Sequence, residues 1–203
     1  MHYNYVTIER LYGSQGTKIG LELAKQLNWP CYGQKILTKV SNDYNIPEEK
    51  IQKYEESVTN SFLYSMFVLS QVRSGNTEML SAESHIYMLE QKAIQELASK
   101  GPAIFLGHCA SEALANRQGV LRVFIYGNKQ DRIKHIHQDY GVPFEDVNDI
   151  MHYFDKKRAN YYYANTTRKW NDPENYDLIL NSSDLKVNNC VKAIAGIIDK
   201  NKG

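Results

Sequence analysis

Short apolar runs alternate with longer patterns of helical spacing along most of the chain, and this alternation limits the fold more than any other feature. The runs read as buried strands at residues 5–8, 103–106, 121–126 and 177–180, with a shorter candidate at 31–33. Helical spacing follows most of them, as in Ile19, Leu23 and Leu27. Because strands separated by helices form parallel sheets, we expect a three-layer α/β fold of about five parallel strands flanked by helices, with strand 5–8 central.

Two stretches do not fit a minimal core of sheet and helices. They cover about residues 34–82 and 141–172 and read as helical or irregular segments. The sequence has no internal repeat, low-complexity segment or flexible linker. We therefore expect a single domain over residues 1–203, with these two insertions forming mobile lobes around a ligand cleft.

Composition excludes several classes of partner. The chain of 203 residues has 24 Lys and Arg against 23 Asp and Glu, so no overall basic field attracts a nucleic-acid polymer or an acidic membrane. No stretch is apolar enough for a membrane span or a signal peptide. Its three cysteines are far apart, which argues against a disulfide scaffold or zinc site. We expect a cytoplasmic protein with small-molecule ligands, and the sequence also allows a homodimer.

The strongest local signal is a strand, a glycine-bearing turn and a helix over residues 5–27. Such a turn directs free backbone N–H groups at one point, where the helix dipole favours an anion. The turn contains Gly13 and Gly16, but it does not satisfy the Walker pattern G-x-x-x-x-G-K-[ST]. If Thr17 takes the Ser/Thr position, Gly16 replaces the lysine and Arg10 the first glycine. From this feature alone, a phosphate site and an ordinary βα turn remain equal alternatives.

An ordered series of motifs extends over the chain. It begins with Thr7-Ile8-Glu9-Arg10-x-Tyr12-Gly13-Ser14-x-Gly16-x-x-Ile19-Gly20 and continues with Leu106-Gly107-His108-Cys109-Ala110. It ends with Arg122-Val123-Phe124-Ile125-Tyr126 followed by Arg132, then Asp155-x-x-Arg158-x-x-Tyr161-Tyr162 and Tyr176-Asp177-Leu178-x-x-Asn181-Ser182. In these motifs the chain resembles the cytidylate kinase-like family, a branch of the P-loop nucleoside monophosphate kinases with its own variant loop.

This resemblance implies ATP-dependent phosphoryl transfer to a nucleoside monophosphate, with CMP or dCMP as the favoured acceptor and Mg²⁺ as cofactor. It implies that the insertion at 34–82 supplies acceptor-binding helices and that 141–172 is the lid. The expected ATP-binding residues are Arg10, Gly13, Ser14, Gln15, Gly16, Thr17, Lys18 and Asn181, with Thr17 also a ligand of Mg²⁺. The expected catalytic residues are Lys18, Arg132, Asp155 and Arg158, and the expected acceptor-binding residues are Tyr32 and His108.

Several of these residues also have structural interpretations. Lys18 or Arg10 would supply the charge of the missing Walker lysine, or either could be a solvated surface cation. Asp155 and Arg158 share one helical face, which suits either a lid that binds phosphate or a surface ion pair. The cluster Tyr161, Tyr162 and Tyr163 could stack on a base, but lid packing is the stronger interpretation.

Two departures from the family pattern concern the acceptor. The resemblance predicts an arginine where His108 stands and an aspartate after Tyr32, where the chain has Gly33. Three hypotheses therefore stay open. The protein is a nucleoside monophosphate kinase, a P-loop kinase for another small acceptor, or a nucleotide-binding regulatory protein with little turnover.

Overall fold

A single parallel sheet forms the centre of the computed structural model, which describes residues 2–51 and 82–200. Its strands are β1 (Tyr5–Arg10), β2 (Cys31–Tyr32), β3 (Ala103–Leu106), β4 (Val120–Tyr126) and β5 (Leu178–Asn181), in the order β2-β3-β1-β4-β5. All four neighbouring pairs are parallel. The expected sheet with β1 at its centre is confirmed.

Helices cover both faces of this sheet. They are α1 (Gly16–Leu27), α2 (Gln34–Tyr44), α3 (Ala82–Ala98), α4 (Ala110–Ala113), α5 (Lys129–Tyr140), α6 (Val147–Thr166) and α7 (Ser182–Lys200), with a 3₁₀ turn at Pro173–Asn175. Residues 48–51 are also helical. Most of the expected acceptor-binding insertion at 34–82 lies outside the described residues, so its role stays a prediction.

Two apolar cores lie on opposite faces of the sheet because successive strand residues point in opposite directions. Val6 and Ile8 of β1 pack in the core that includes residues of α1 and α7. Tyr5 of β1 and Phe105 of β3 pack in the other core, which includes residues of α3 and α6. Both faces of the central strands are therefore buried, as their nearly continuous apolar sequences indicate.

The elements next to the candidate site have two features that position it. β1 continues past the apolar run to Arg10, because its pairing with β4 extends to Arg10 opposite Ile125. A break at Lys186, where φ is 64°, divides α7 into a short segment from Ser182 and a longer helix that follows the break. No helix in the described part of the chain has the length and apolar character needed to cross a membrane.

Candidate active site

The loop between β1 and α1 contains two residues with left-handed backbone angles. Gly13 has a φ of 76° and Gln15, the N-cap of α1, has a φ of 58°. A Cβ atom at Gly13 would lie 2.8 Å from the carbonyl oxygen of Arg132, so the turn requires glycine there. The Ser14 hydroxyl donates to the carbonyl oxygen of Ile125 at 3.2 Å, which ties the loop to the end of β4.

The first turn of α1 presents backbone N–H groups that have no acceptor among residues 2–51 and 82–200. They belong to Gly16, Thr17 and Lys18, whereas the N–H of Ile19 donates to the carbonyl oxygen of Gln15 at 2.9 Å. The turn contains no acidic residue that could compete for this position. Free amides and the helix dipole together attract an anion. The loop therefore offers a site for a phosphate group.

The side chains of Thr17 and Lys18 lie on the outer surface of α1. Both are exposed and line an open groove of about 710 Å³ along α1, together with Leu21 and Trp29. The backbone of these two residues thus faces the candidate anion site, while the Lys18 ammonium lies in solvent at the edge of this groove.

Arg132 on α5 and Asp155 on α6 support the phosphate loop, the turn at residues 13–18, through its neighbour Tyr12. Arg132 pairs with Asp155, and its Nε donates to the carbonyl oxygen of Tyr12 at 2.7 Å. The N–H of Tyr12 donates to Asp155 Oδ1 at 2.8 Å. The Tyr12 ring stacks on Phe154 with ring centres 4.4 Å apart. These contacts fix Tyr12 between α5 and α6, and they satisfy both charges of the Arg132–Asp155 pair.

A cleft of about 280 Å³ opens beside the loop, at the carboxyl ends of β1 and β3. The basic side chains that line it are Arg10, Lys157 and Arg158, and Glu9 is the acidic one among its described lining residues. His108 lies on the same wall. Ligands of open parallel sheets bind at this edge, so the cleft is the candidate acceptor site.

Arg158 is a partly buried cation in this cleft. Its Nη1 donates to the carbonyl oxygen of Arg10 at 2.7 Å, and its guanidinium lies 5.5 Å from the centre of the Tyr12 ring. In the described part of the chain it forms no ion pair, because Asp155 pairs with Arg132 instead. Burial, and then the charge of Arg10, lower the pKa of Arg158 to about 10. A cation that burial destabilises and that forms no ion pair with a carboxylate among the described residues is suited to binding an anion.

Arg10 connects the phosphate loop to the cleft. A Cβ atom at Gly16 would lie 2.5 Å from Arg10 Cβ, and one at Gly107 would collide with Arg10 Nη1. The side chain therefore extends from the start of α1 to the end of β3. Its Nε is buried and has no hydrogen-bond partner within the described residues. The two glycines provide the space for this path.

The wall of the cleft after β3 is a left-handed turn. Gly107, His108 and Cys109 have φ values of 73°, 58° and 50°. Such angles are uncommon for residues other than glycine, and Gln91 supports the turn by donating from Nε2 to the carbonyl oxygen of His108 at 3.1 Å. Burial raises the pKa of Cys109 well above its ordinary value, and nearby carboxylates, Glu9 first, add to this. Cys109 is therefore a packed thiol and not a nucleophile.

Two buried carboxylates lie at the base of the cleft, and the sequence interpretation missed both. Glu9 accepts from Trp170 Nε1 at 2.9 Å. Glu90 is fully buried, accepts from the Tyr161 hydroxyl and lies 3.7 Å from His108 Nδ1. The available signals were an acidic residue directly after a buried strand and another on the apolar face of a helix. Tyr161 is thus packed in the core, as the lid-packing interpretation favours.

The remaining predicted residues lie at the edges of the two sites. Asn181 donates to Asp184 at 2.6 Å and accepts from the N–H of Ser183 at 3.0 Å, beside a cavity of about 340 Å³ that reaches Gln15. The ring of Tyr32 packs against Phe105 with centres 5.5 Å apart. The structure thus brings Arg10, His108 and Arg158 together in the acceptor cleft, and Arg132 and Asp155 behind the loop. The roles assigned to these residues stay predictions.

Comparison with solved structures defines the class of the fold. An uncharacterized protein from Eubacterium ventriosum is 22% identical, covers 96% of this chain and 98% of its own, and gives a TM-score of 0.72. A sugar kinase from Janibacter sp. is 10% identical over 97% and 95% of the two chains, with a TM-score of 0.54. A shikimate kinase from Bacteroides thetaiotaomicron is 12% identical over 96% and 98%, with a TM-score of 0.51. The fold is that of the P-loop kinases.

Family membership is more specific than the fold. The model of the cytidylate kinase-like family matches residues 5–184, and the chain belongs to that family. The comparison with curated proteins found no matching sequence. Family and fold together support a phosphotransferase of the kinase type.

Proposed function

We propose that this protein transfers the γ-phosphoryl group of ATP to a nucleoside monophosphate, with CMP or dCMP as the first candidates. The observation that carries the proposal is Arg158, a partly buried guanidinium that forms no ion pair with a carboxylate in the described chain, in a cleft next to the phosphate loop. An acceptor that already carries a phosphate would supply the missing counter-charge.

The donor would bind at the loop. The free N–H groups of Gly16, Thr17 and Lys18 fit the phosphates of ATP, and Gly13 leaves the turn open for their approach. Among the described residues, no cluster of three His, Cys, Asp or Glu could hold a metal alone. Mg²⁺ in phosphoryl transfer is bound largely by nucleotide phosphates and water and needs few protein ligands, and the Thr17 hydroxyl, exposed in the groove along α1, would have to turn toward the phosphates to be one of them.

The proposed reaction requires no protein base. The bond between the γ-phosphorus and its bridging oxygen breaks, and the electron pair leaves with ADP. A bond forms from an oxygen of the acceptor phosphate to the γ-phosphorus. A phosphate dianion is already deprotonated, so the protein's task is to align two anions and offset their repulsion. Arg10 and Arg158 are placed for this task.

A hydroxyl acceptor is the second candidate, and Glu9 is the observation that favours it. This carboxylate lines the cleft, and transfer to a hydroxyl requires a group that accepts its proton. The sugar kinase and shikimate kinase named above act on acceptors of this type, although their similarity to this chain is one of fold.

A coupled assay of ADP release separates these candidates. ATP and Mg²⁺ are supplied with CMP, dCMP, UMP, AMP or GMP, with shikimate or gluconate, or with no acceptor. We expect the largest acceptor-dependent rate with a pyrimidine monophosphate. His108 in place of the family's arginine and Gly33 in place of its aspartate predict that this rate is slow.

The same panel can contradict the proposal. Turnover with a hydroxyl acceptor and none with any monophosphate would replace it by the second candidate. Calorimetry without detectable ATP binding at millimolar nucleotide would remove both.

A further inference from the structure

We infer that Arg10 is the cation that takes the place of the missing Walker lysine and contacts the phosphoryl group in transfer. This assignment rests on the proposed phosphoryl transfer and adds to it a residue that the loop pattern leaves undetermined. The structure distinguishes the two cations that the sequence left open, Arg10 and Lys18.

The path of the Arg10 side chain is the first argument. Its stem contacts the Cα of Gly16, where the free amides of α1 begin, and its guanidinium covers Gly107 at the end of β3. Gly16 therefore marks the donor side and Gly107 the acceptor cleft. A group that is transferred from one to the other must pass this guanidinium.

The unsatisfied hydrogen-bonding capacity of Arg10 is the second argument. Its Nε is buried without a partner, and the residue forms no ion pair in the part of the chain that the structure describes. Arg158 binds the carbonyl oxygen of Arg10, and as a second cation it adds to the positive charge beside this guanidinium. Buried donors are nearly always satisfied, so an orphan beside an anion site points to a bound anion as the missing acceptor.

Support from the surroundings is the third argument. Arg158 holds the main chain of Arg10 through a hydrogen bond of 2.7 Å, and β1 pairs with Ile125 of β4 at this residue. A preorganised charge needs such a fixed backbone, because it must not reorganise during the reaction. Arg10 is the last residue of the central strand, so its backbone is fixed in this way.

Lys18 lacks these features. Its side chain is exposed and lies along the outer groove of α1 with Leu21 and Lys25, and it does not line the cleft. A lysine in solvent is mobile and screened, so its charge stabilises a transferred group poorly. Only the backbone N–H of Lys18 faces the loop.

The chemical consequence is confined to electrostatics. As the bond to the bridging oxygen breaks and the bond to the acceptor oxygen forms, negative charge is spread over the oxygens of the phosphoryl group. Arg10 donates N–H groups to these oxygens and keeps its own protons. No proton or electron leaves the residue, and the products are ADP and the phosphorylated acceptor.

Arg10→Gln tests the inference, with Lys18→Gln as the rival variant and the exposed Lys25→Gln as a matched control for loss of one charge. We expect Arg10→Gln to lower kcat by at least roughly a hundred-fold. The loss in Lys18→Gln should be at least about tenfold smaller. Titration calorimetry gives a second readout, in which Arg10→Gln brings the affinity for ATP close to that for ADP and leaves ADP binding unchanged.

A rescue experiment distinguishes a catalytic role of Arg10 from a merely structural one. In Arg10→Ala, millimolar guanidinium ion should restore part of kcat, because it fills the vacated site, whereas a packing defect would not respond. A larger kcat loss in Lys18→Gln than in Arg10→Gln would overturn the assignment, as would an unchanged difference between ATP and ADP affinity. If the wild-type protein phosphorylates no acceptor but this difference still depends on Arg10, the proposed function fails and the inference stands.

Discussion

At the scale of single residues, the site depends on arginines that form no ion pair within residues 2–51 and 82–200. Arg158 is desolvated, faces Arg10, and has no carboxylate partner in the described chain, so its pKa is lowered to about 10. Arg132 on α5 is buried as well, but its charge is neutralised by the ion pair with Asp155. The first arginine can therefore bind an incoming anion, while the second supports the loop.

Replacement of Arg158 should affect the reaction much more than the fold. We expect Arg158→Gln to lower kcat/KM for the phosphate acceptor by at least roughly a hundred-fold, with a smaller loss in Arg158→Lys. Its unfolding free energy should fall by no more than about 1 kcal/mol, the value of the lost hydrogen bond to Arg10, because burial of the charge opposes this bond. Steady-state kinetics and urea denaturation measure both. Normal activity with a loss of several kcal/mol would show that Arg158 is structural.

At the scale of elements, the phosphate loop is fixed by two helices that follow it much later in the chain. Asp155 on α6 accepts from the N–H of Tyr12 and pairs with Arg132 on α5, which donates to the Tyr12 carbonyl oxygen. The loop geometry is thus a property of three elements together.

Asp155→Ala should loosen the loop and destabilise the protein. Removal of one partner from a buried ion pair costs roughly 3–5 kcal/mol, and we expect about 2 kcal/mol here because the Asp155 side chain is partly exposed. ATP affinity should fall in parallel, measured by calorimetry. Lys156→Ala changes the next, exposed residue of the same helix and serves as the control. Equal stability of the two variants would mean that the pair does not hold the loop.

A second link between elements joins β4 to the start of β5, away from the cleft. Arg122 donates to Asp177 from its backbone N–H, its Nε and its Nη2. Burial raises the pKa of Asp177, but these hydrogen bonds outweigh it and lower the pKa below its ordinary value. The stabilising contribution is therefore present above the unfolded pKa and disappears as pH falls through the folded one.

Asp177→Asn should cost about 1 kcal/mol at neutral pH, a modest value because both side chains are partly exposed to solvent. The gap to the wild type should close below about pH 3, where the carboxyl is protonated in both states. Denaturation curves at several pH values measure it, and Glu22→Gln, which breaks the exposed pair with Lys25, is the control. A gap that persists unchanged in acid would exclude the charge as its source.

Elements were predictable from the sequence where the signal is local. The strands, the loop at residues 13–18 and the insertion that contains α6 follow from apolar runs, glycines and helical spacing. The ion-pair partner of Arg132 was not predictable, because Asp155 is distant from Arg132 in the sequence. The sequence instead suggests a pair between Asp155 and Arg158, which are three residues apart on one helix. The depth of Arg158 and the path of Arg10 depend on tertiary packing, which periodicity does not encode.

At the scale of the whole molecule, both candidate sites lie at one edge of the sheet. β1 is central, ends at Arg10, and has the phosphate loop on one side and the cleft after β3 on the other. The segment 141–172 contributes α6, which reaches both sites through Phe154 and Arg158. Closure of this lid over nucleotide stays a prediction, and hydrogen exchange with and without ligand would measure it.

This arrangement predicts that the phosphates of donor and acceptor bind next to each other, in one continuous site. A bisubstrate analogue, adenosine and cytidine joined by five phosphates, should raise the melting temperature more than ATP and CMP added together. The reason is that the link removes the repulsion between two separately bound anions and the entropy cost of the second binding event.

At about a hundred times its dissociation constant a ligand adds roughly 2.7 kcal/mol of stability, which thermal melting resolves easily. Arg158→Gln should reduce the effect of CMP and of the analogue much more than that of ATP, since the acceptor half meets this residue directly and ATP depends on it only through the support of Arg10. An analogue with a uridine or guanosine end serves as the test of base preference. If the joined ligand stabilises the protein no more than ATP alone, then the cleft does not accept a nucleotide beside the phosphate loop, and the proposed acceptor class is wrong.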